Sequence, residues 1–148
     1  MKKKGLFLII ALLLTGCGSK KMICQLNKVN DSQNYQVNSK FIIDYKNNYA
    51  LKIDGYEKYK SSDSNVIDYY GDYLERTYID LKNNYHQVTY NKQINNNEVV
   101  FHSTMVLDED VVKKMKKNKY IESDYIKNNH ITITGFKNYY EDKGYECK

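Results

Sequence analysis

The stretch YQVNSKFIIDYKNNYALKI, residues 35–53, decides the fold class. Tyr35, Val37, Phe41, Ile43 and Tyr45 recur at every second position, with Ser39 as the gap. A period of two is the pattern of a strand with one buried face. Asn47 and Asn48 read as a turn, and alternation resumes at Tyr49, Leu51 and Ile53. Two such runs joined by a short Asn-rich connection predict an antiparallel hairpin.

Working outward, Asn30 to Asn34 is rich in turn formers, and Ile23 and Gln25 open an earlier strand. Downstream, Ser61, Ser62 and Asp63 offer N-cap oxygens to a long helix over about Asp63 to Lys82. Its expected apolar face is Val66, Tyr70, Tyr73, Leu74, Thr77 and Leu81. Asp63, Asp68 and Asp72 precede Arg76 and Lys82, as the helix dipole favours. A second hairpin follows: Val88, Tyr90 and Ile94, a turn at Asn95 to Asn97, then Val99, Phe101, Ser103 and Met105. Asp108, Glu109 and Asp110 begin a short helix bearing Val111, Val112 and Met115. A helical turn is expected through Tyr125 and Ile126, and a short strand at Ile131 and Ile133. Thr134 then caps a last helix with Phe136, Tyr139 and Tyr140, and Gly144 is its C-cap glycine. The order predicts an α+β fold: an antiparallel sheet built from hairpins, packed against one long helix and two shorter helices. Residues 23–148 are read as one domain.

The N-terminus has a separate logic. Lys2, Lys3 and Lys4 precede the uncharged run GLFLIIALLL, residues 5–14. A basic start, an apolar middle and small residues at a cleavage point make a secretory signal. The run is half the roughly 20 residues a spanning helix needs. Leu14, Thr15, Gly16 and Cys17 resemble the lipobox of bacterial lipoproteins. That resemblance implies diacylglycerol on the Cys17 thiol, cleavage after Gly16, and palmitate on the mature end. Residues 1–16 are then the signal peptide, and 17–22 the lipidated cysteine with a short polar tether. Two or more acyl chains anchor stably where one does not.

Composition narrows the function. The formal net charge is +5, but residues 1–16 hold three lysines and no acid, so the remainder carries +2. A nearly balanced, exported chain is not expected to bind nucleic acid. There is a single Arg, Arg76, against 22 Lys, with no Pro and no Trp. Lys, Asn, Ile and Tyr have AT-rich codons, which points to a low-GC Gram-positive bacterium or a relative. With Cys17 taken by lipid, Cys24 and Cys147 remain. An even pair in an exported chain is a disulfide candidate that would clasp the two ends of the domain; two unpaired thiols are the alternative.

No catalytic, cofactor or metal motif is visible. His86, His102 and His130 lack metal-ligand spacing. His102 and Ser103 are strand neighbours and point to opposite faces. Two features could contact a partner. Lys113, Lys114, Lys116, Lys117 and Lys119 beside Val111, Val112 and Met115 make a basic amphipathic helix suited to polyanions, or a merely solvated face. Tyr56, Tyr59, Tyr69, Tyr70 and Tyr73 can stack on a glycan or peptide, or fill a core. The layout resembles small YehR-like lipoproteins, α+β domains behind a lipobox, and lipobox-bearing proteins ending, as here, in Gly144, Cys147 and Lys148. The resemblance implies an anchor and a fold but no activity.

The expectation is therefore a lipid-anchored protein on the outer face of the cell membrane. It would be a non-enzymatic module for a protein, peptide or cell-wall glycan partner, without cofactor. An enzyme with a site assembled by the fold, and a precursor whose apolar leader becomes a signalling peptide, are the alternatives.

Overall fold

The computed structural model describes residues 18–148. Leu14, Thr15, Gly16 and Cys17, with the expected signal segment, lie outside the described residues. The elements are β1 (Lys20–Asn30), β2 (Tyr35–Lys46), β3 (Tyr49–Lys60), α1 (Ser64–Asn84), β4 (Val88–Asn95) and β5 (Glu98–Val106). They continue with α2 (Glu109–Lys117), β6 (Ile126–Lys127), β7 (His130–Ile131), α3 (Ile133–Glu141) and β8 (Glu146–Cys147). A six-stranded antiparallel sheet runs β4-β5-β3-β2-β1-β8, and β6 and β7 form a small separate hairpin. The expected α+β arrangement of hairpins and three helices is the observed one.

The asparagines sit where the backbone needs them. Asn47 and Asn48 both have positive φ, as do Asn128 and Asn129. Tight hairpin turns require that conformation, and Asn tolerates it better than most side chains. The β2–β3 pairing is not uniform: Asp44 faces Lys52, while Tyr45 faces Ala50. Leu51 is thus an extra residue, a β-bulge that reverses the alternation at this end of β3. Ala50 is fully buried and Leu51 is 39% exposed, the opposite of a continued period-two reading.

Two further expectations are corrected. The buried face of α1 is Ile67, Gly71, Leu74 and Tyr78, with Tyr70 and Leu81 half-buried beside it. Tyr73 is 57% exposed. Gly71 lets the helix approach β4, where an added Cβ would lie 3.3 Å from the Ile94 side chain; this close contact centres the face one position away from the tyrosine-led stripe. At the C-terminus β7 stops at Ile131, and Thr132, not Thr134, caps α3 by accepting from the Gly135 N–H at 3.0 Å. Ile133 is accordingly helical. Gly144, at φ +86°, is the residue that turns the chain out of α3 toward β8.

β8 pairs with β1, setting Cys24 opposite Cys147 at disulfide distance with Cα atoms 4.0 Å apart. Ile23 and Lys148 exchange backbone hydrogen bonds of 2.8 and 2.9 Å next to the pair. Neighbouring residues alternate faces, so Ile23 points away from Cys24 rather than packing beside it. β1 starts at Lys20 and buries Met22, so the sheet begins inside the stretch expected to be a tether.

One face of the sheet is covered by helices, over two cores. Near α2 and α3 the core gathers Cys24, Ile43, Val111, Val112, Ile131 and Phe136. Under α1 it gathers Ile67, Leu74, Tyr78, Val99 and Phe101.

Candidate functional site

The seam between the cores is built from small and polar residues. On the covered face, Ser39 pairs across strands with Glu57, and Gly55 lies between Phe41 and Ser103. A Cβ at Gly55 would collide with Ser103 Oγ and approach Phe41 Cε1 to 2.8 Å, so glycine lets these two side chains close over this part of the floor. Above it is a cavity of about 390 Å³. Small-molecule sites commonly occupy roughly 300–1,000 Å³.

The floor is Phe41, Ile53, Glu57, Ser103 and Met105. One wall is α1, through Tyr73, Leu74, Thr77 and Tyr78. Facing it are Met115, Tyr120 and Ile121 after β5, and Phe136, Tyr139 and Tyr140 of α3. Tyr59 and Tyr145 add rings, and Lys143 stands at the mouth with its Nζ 4.7 Å from the Tyr139 ring centroid. The lining is thus aromatic and apolar with few polar groups, the usual make-up of a ligand site.

The polar groups are organised around Glu57. The Tyr78 hydroxyl donates to Glu57 Oε2 at 2.5 Å, and Ser103 Oγ donates to the Tyr78 oxygen at 3.1 Å. The Tyr145 hydroxyl donates to Ser39 Oγ at 3.0 Å. Burial raises the Glu57 pKa, opposed by the Tyr78 hydrogen bond. Burial likewise raises the phenols of Tyr59, Tyr78, Tyr139 and Tyr145, so these rings are neutral throughout the physiological range. Among the described residues no salt bridge engages Glu57. The arrangement can hold an apolar ligand and offer it a half-buried carboxyl group.

The residues singled out in the sequence are placed variously. Tyr59 stacks on Tyr70 at 4.5 Å, and Tyr69 and Tyr73 lie 6.5 Å apart on α1. Tyr56 is on the other sheet face, edge-on to His102 at 5.0 Å, so the five tyrosines are not one surface. Lys113, Lys114, Lys116, Lys117 and Lys119 are exposed, and Lys113 pairs with Glu109 at 3.6 Å and Asp110 at 3.9 Å. Val111, Val112 and Met115 are buried in the core, which leaves α2 no apolar face for a membrane. Among the described residues no helix is long and apolar enough to cross a membrane, and no group of three acidic, His or Cys side chains is placed to hold a metal ion. Glu57 and Tyr78 carry no expectation from the sequence, and beyond its place in the second hairpin Ser103 enters only as the strand neighbour of His102. The available signal was Ile53, Gly55, Glu57, Tyr59: a charged residue at an inward position of a strand.

No protein-family model matches the chain, and no curated protein matches it. Among solved structures it is similar to the NMR structure of a protein from Streptococcus pneumoniae TIGR4, with 16% identity over 100% of this chain and 97% of that one. The TM-score is 0.50, a likeness of fold alone.

Proposed function

We propose that the protein is a lipid-anchored, extracytoplasmic binding module whose ligand site is the tyrosine-walled cleft above Glu57. The observation that carries this reading is a cavity of about 390 Å³ whose apolar lining converges, among the described residues, on a single half-buried carboxyl group. Its location fits an anchored protein. Lys20, the start of the sheet, pairs with Tyr45 at the Asn47–Asn48 turn, and the cleft lies further along the strands, over Gly55 and Glu57. The membrane would therefore not occlude it. A binding role also suits the polar groups. The Ser103 proton points to a phenol oxygen rather than to a base, and Tyr78 is held neutral by burial. Activating Ser103 as a nucleophile would need a stronger acceptor beside it.

The anchor is tested by labelling cells with palmitate. Wild type should carry label and fractionate with membranes, and Cys17→Ala should do neither. The site is tested by saturation-transfer NMR with mixtures of small aromatic compounds, using the mature protein in mild detergent. Binding should be lost in Thr77→Trp, which fills the cleft from α1. Equal binding by that variant, or no binding by wild type, rejects the cleft as the site.

A further inference from the structure

We infer that the cleft takes a small organic cation, with a primary ammonium group against Glu57 and an apolar body against the tyrosine rings. The inference rests on the binding-module reading and adds the chemical class of the ligand. Tyr78 engages Glu57 at Oε2, leaving Oε1 to the cavity. Glu57 is the only acidic side chain lining the cleft, and it has no cationic partner within salt-bridge distance among the described residues. A carboxylate removed from water is costly until it is both paired and hydrogen-bonded. The protein supplies the hydrogen bond and leaves the pairing to be made.

The rings point to the same ligand charge. Ring faces carry negative potential and attract cations, the more so when water is excluded. The protein already makes one such contact at the mouth of the cleft, where the Lys143 ammonium lies over Tyr139. An anion would meet Glu57 and the ring faces, both unfavourable. A neutral ligand would bury Glu57 further without pairing it. A primary ammonium is favoured over a bare metal ion because the walls are hydrocarbon and phenol, which give a metal few oxygens, and the cavity has room for an organic body.

The test holds the ligand's shape nearly constant and changes its charge. Benzylammonium, benzyl alcohol and benzoate are titrated by calorimetry at pH 7 into the mature protein in mild detergent. Benzylammonium should bind about tenfold or more tightly than benzyl alcohol, and benzoate should bind weakest. Glu57→Gln should bring the first two within about twofold of each other. Should that variant not fold, Lys143→Met serves instead: removing a like charge at the mouth should raise the preference for benzylammonium over benzyl alcohol, and an unchanged preference would overturn the cation. Benzyl alcohol binding as tightly as benzylammonium would overturn the cation and leave the binding module standing. Failure of all three to bind would overturn both.

Discussion

The two cores under the sheet are assembled in opposite ways. The α1 core draws on α1, β4 and β5, which follow one another in the chain. The α2–α3 core joins β1 and β2 to segments from Leu107 onward, and its ends meet where β8 pairs with β1, setting Cys24 beside Cys147, 123 residues apart. The first is closed by local connections. The second closes a long loop, whose entropic cost must be met before its contacts form. Between them the sheet carries Ser39, Gly55, Glu57 and Ser103, and the cavity opens over Glu57 and Ser103.

Removing the Cys24–Cys147 clasp should have the largest effect. A loop this long is worth up to about 5 kcal/mol in the chain-entropy model. Reduction, or the double variant Cys24→Ser with Cys147→Ser, should lower Tm by roughly 15 °C. Hydrogen exchange should show β1, β8 and α3 losing protection ahead of α1, β4 and β5. An unchanged Tm, or two reactive thiols in the unreduced protein, would remove the clasp; a uniform loss of protection would merge the two cores.

Truncating one large side chain in each core is the next test. Phe101 and Phe136 are both buried, one in each cluster. Phe101→Ala and Phe136→Ala should each cost about 4 kcal/mol in urea unfolding. Because they share neither cluster nor covering helix, the double variant should be additive within about 0.5 kcal/mol. A coupling energy above about 1 kcal/mol would mean that the seam transmits packing from one core to the other.

A smaller effect belongs to the seam itself. Burial holds the Glu57 carboxyl above its ordinary value, against the pull of the Tyr78 hydroxyl. A group with a raised folded pKa contributes stability below its unfolded pKa and loses it as pH rises through the folded one. Stability should therefore fall as pH climbs from about 4.5 through the raised folded value. Glu57→Gln should flatten that slope and leave the protein more stable than wild type above the range where Glu57 ionises. A parallel slope in the variant would assign the pH dependence to other groups.

Much of this architecture is legible in the residues. Alternation from Tyr35 to Tyr45 gives β2, the Asn pair gives its turn, and the same reading recovers the β4–β5 hairpin. An even pair of cysteines at the two ends gives the clasp. The bulge at Leu51 was not legible, because an extra residue leaves no mark on composition and only pairing exposes it. The cleft was hidden for a related reason. Glu57 becomes a floor residue only when β3 is known to lie between β2 and β5, with Ser39 on one side and Phe101 on the other. Tyrosine suits a core, a surface stack and a pocket wall equally, so its abundance could not locate the site. Tyr59 and Tyr73 line the cleft while Tyr56, just as prominent in the sequence, lies on the other face.

The smallest expected effect concerns the lysines of α2, where the α2–α3 core meets the end of the sheet at which β1 starts. His130 Nε2 lies 4.0 Å from Glu109 at the start of α2, and Tyr49 at the turn end of β3 packs on the His130 ring. The start of α2 is thus near the end of the sheet from which the chain leads back to Cys17. Since Val111, Val112 and Met115 face inward, any contact of this helix with lipid is electrostatic alone. Lys113 is engaged by Glu109 and Asp110, which leaves Lys114, Lys116, Lys117 and Lys119 to attract anionic headgroups at about 1 kcal/mol each in low salt. A chain without residues 1–17 should bind phosphatidylglycerol vesicles in low salt and leave them near physiological ionic strength, where screening acts within about 8 Å. Replacing those four lysines by Gln should abolish the binding while changing unfolding stability by less than about 0.5 kcal/mol. Equal binding to neutral phosphatidylcholine would contradict the electrostatic origin. No binding to either lipid would make the lysines a solvated face.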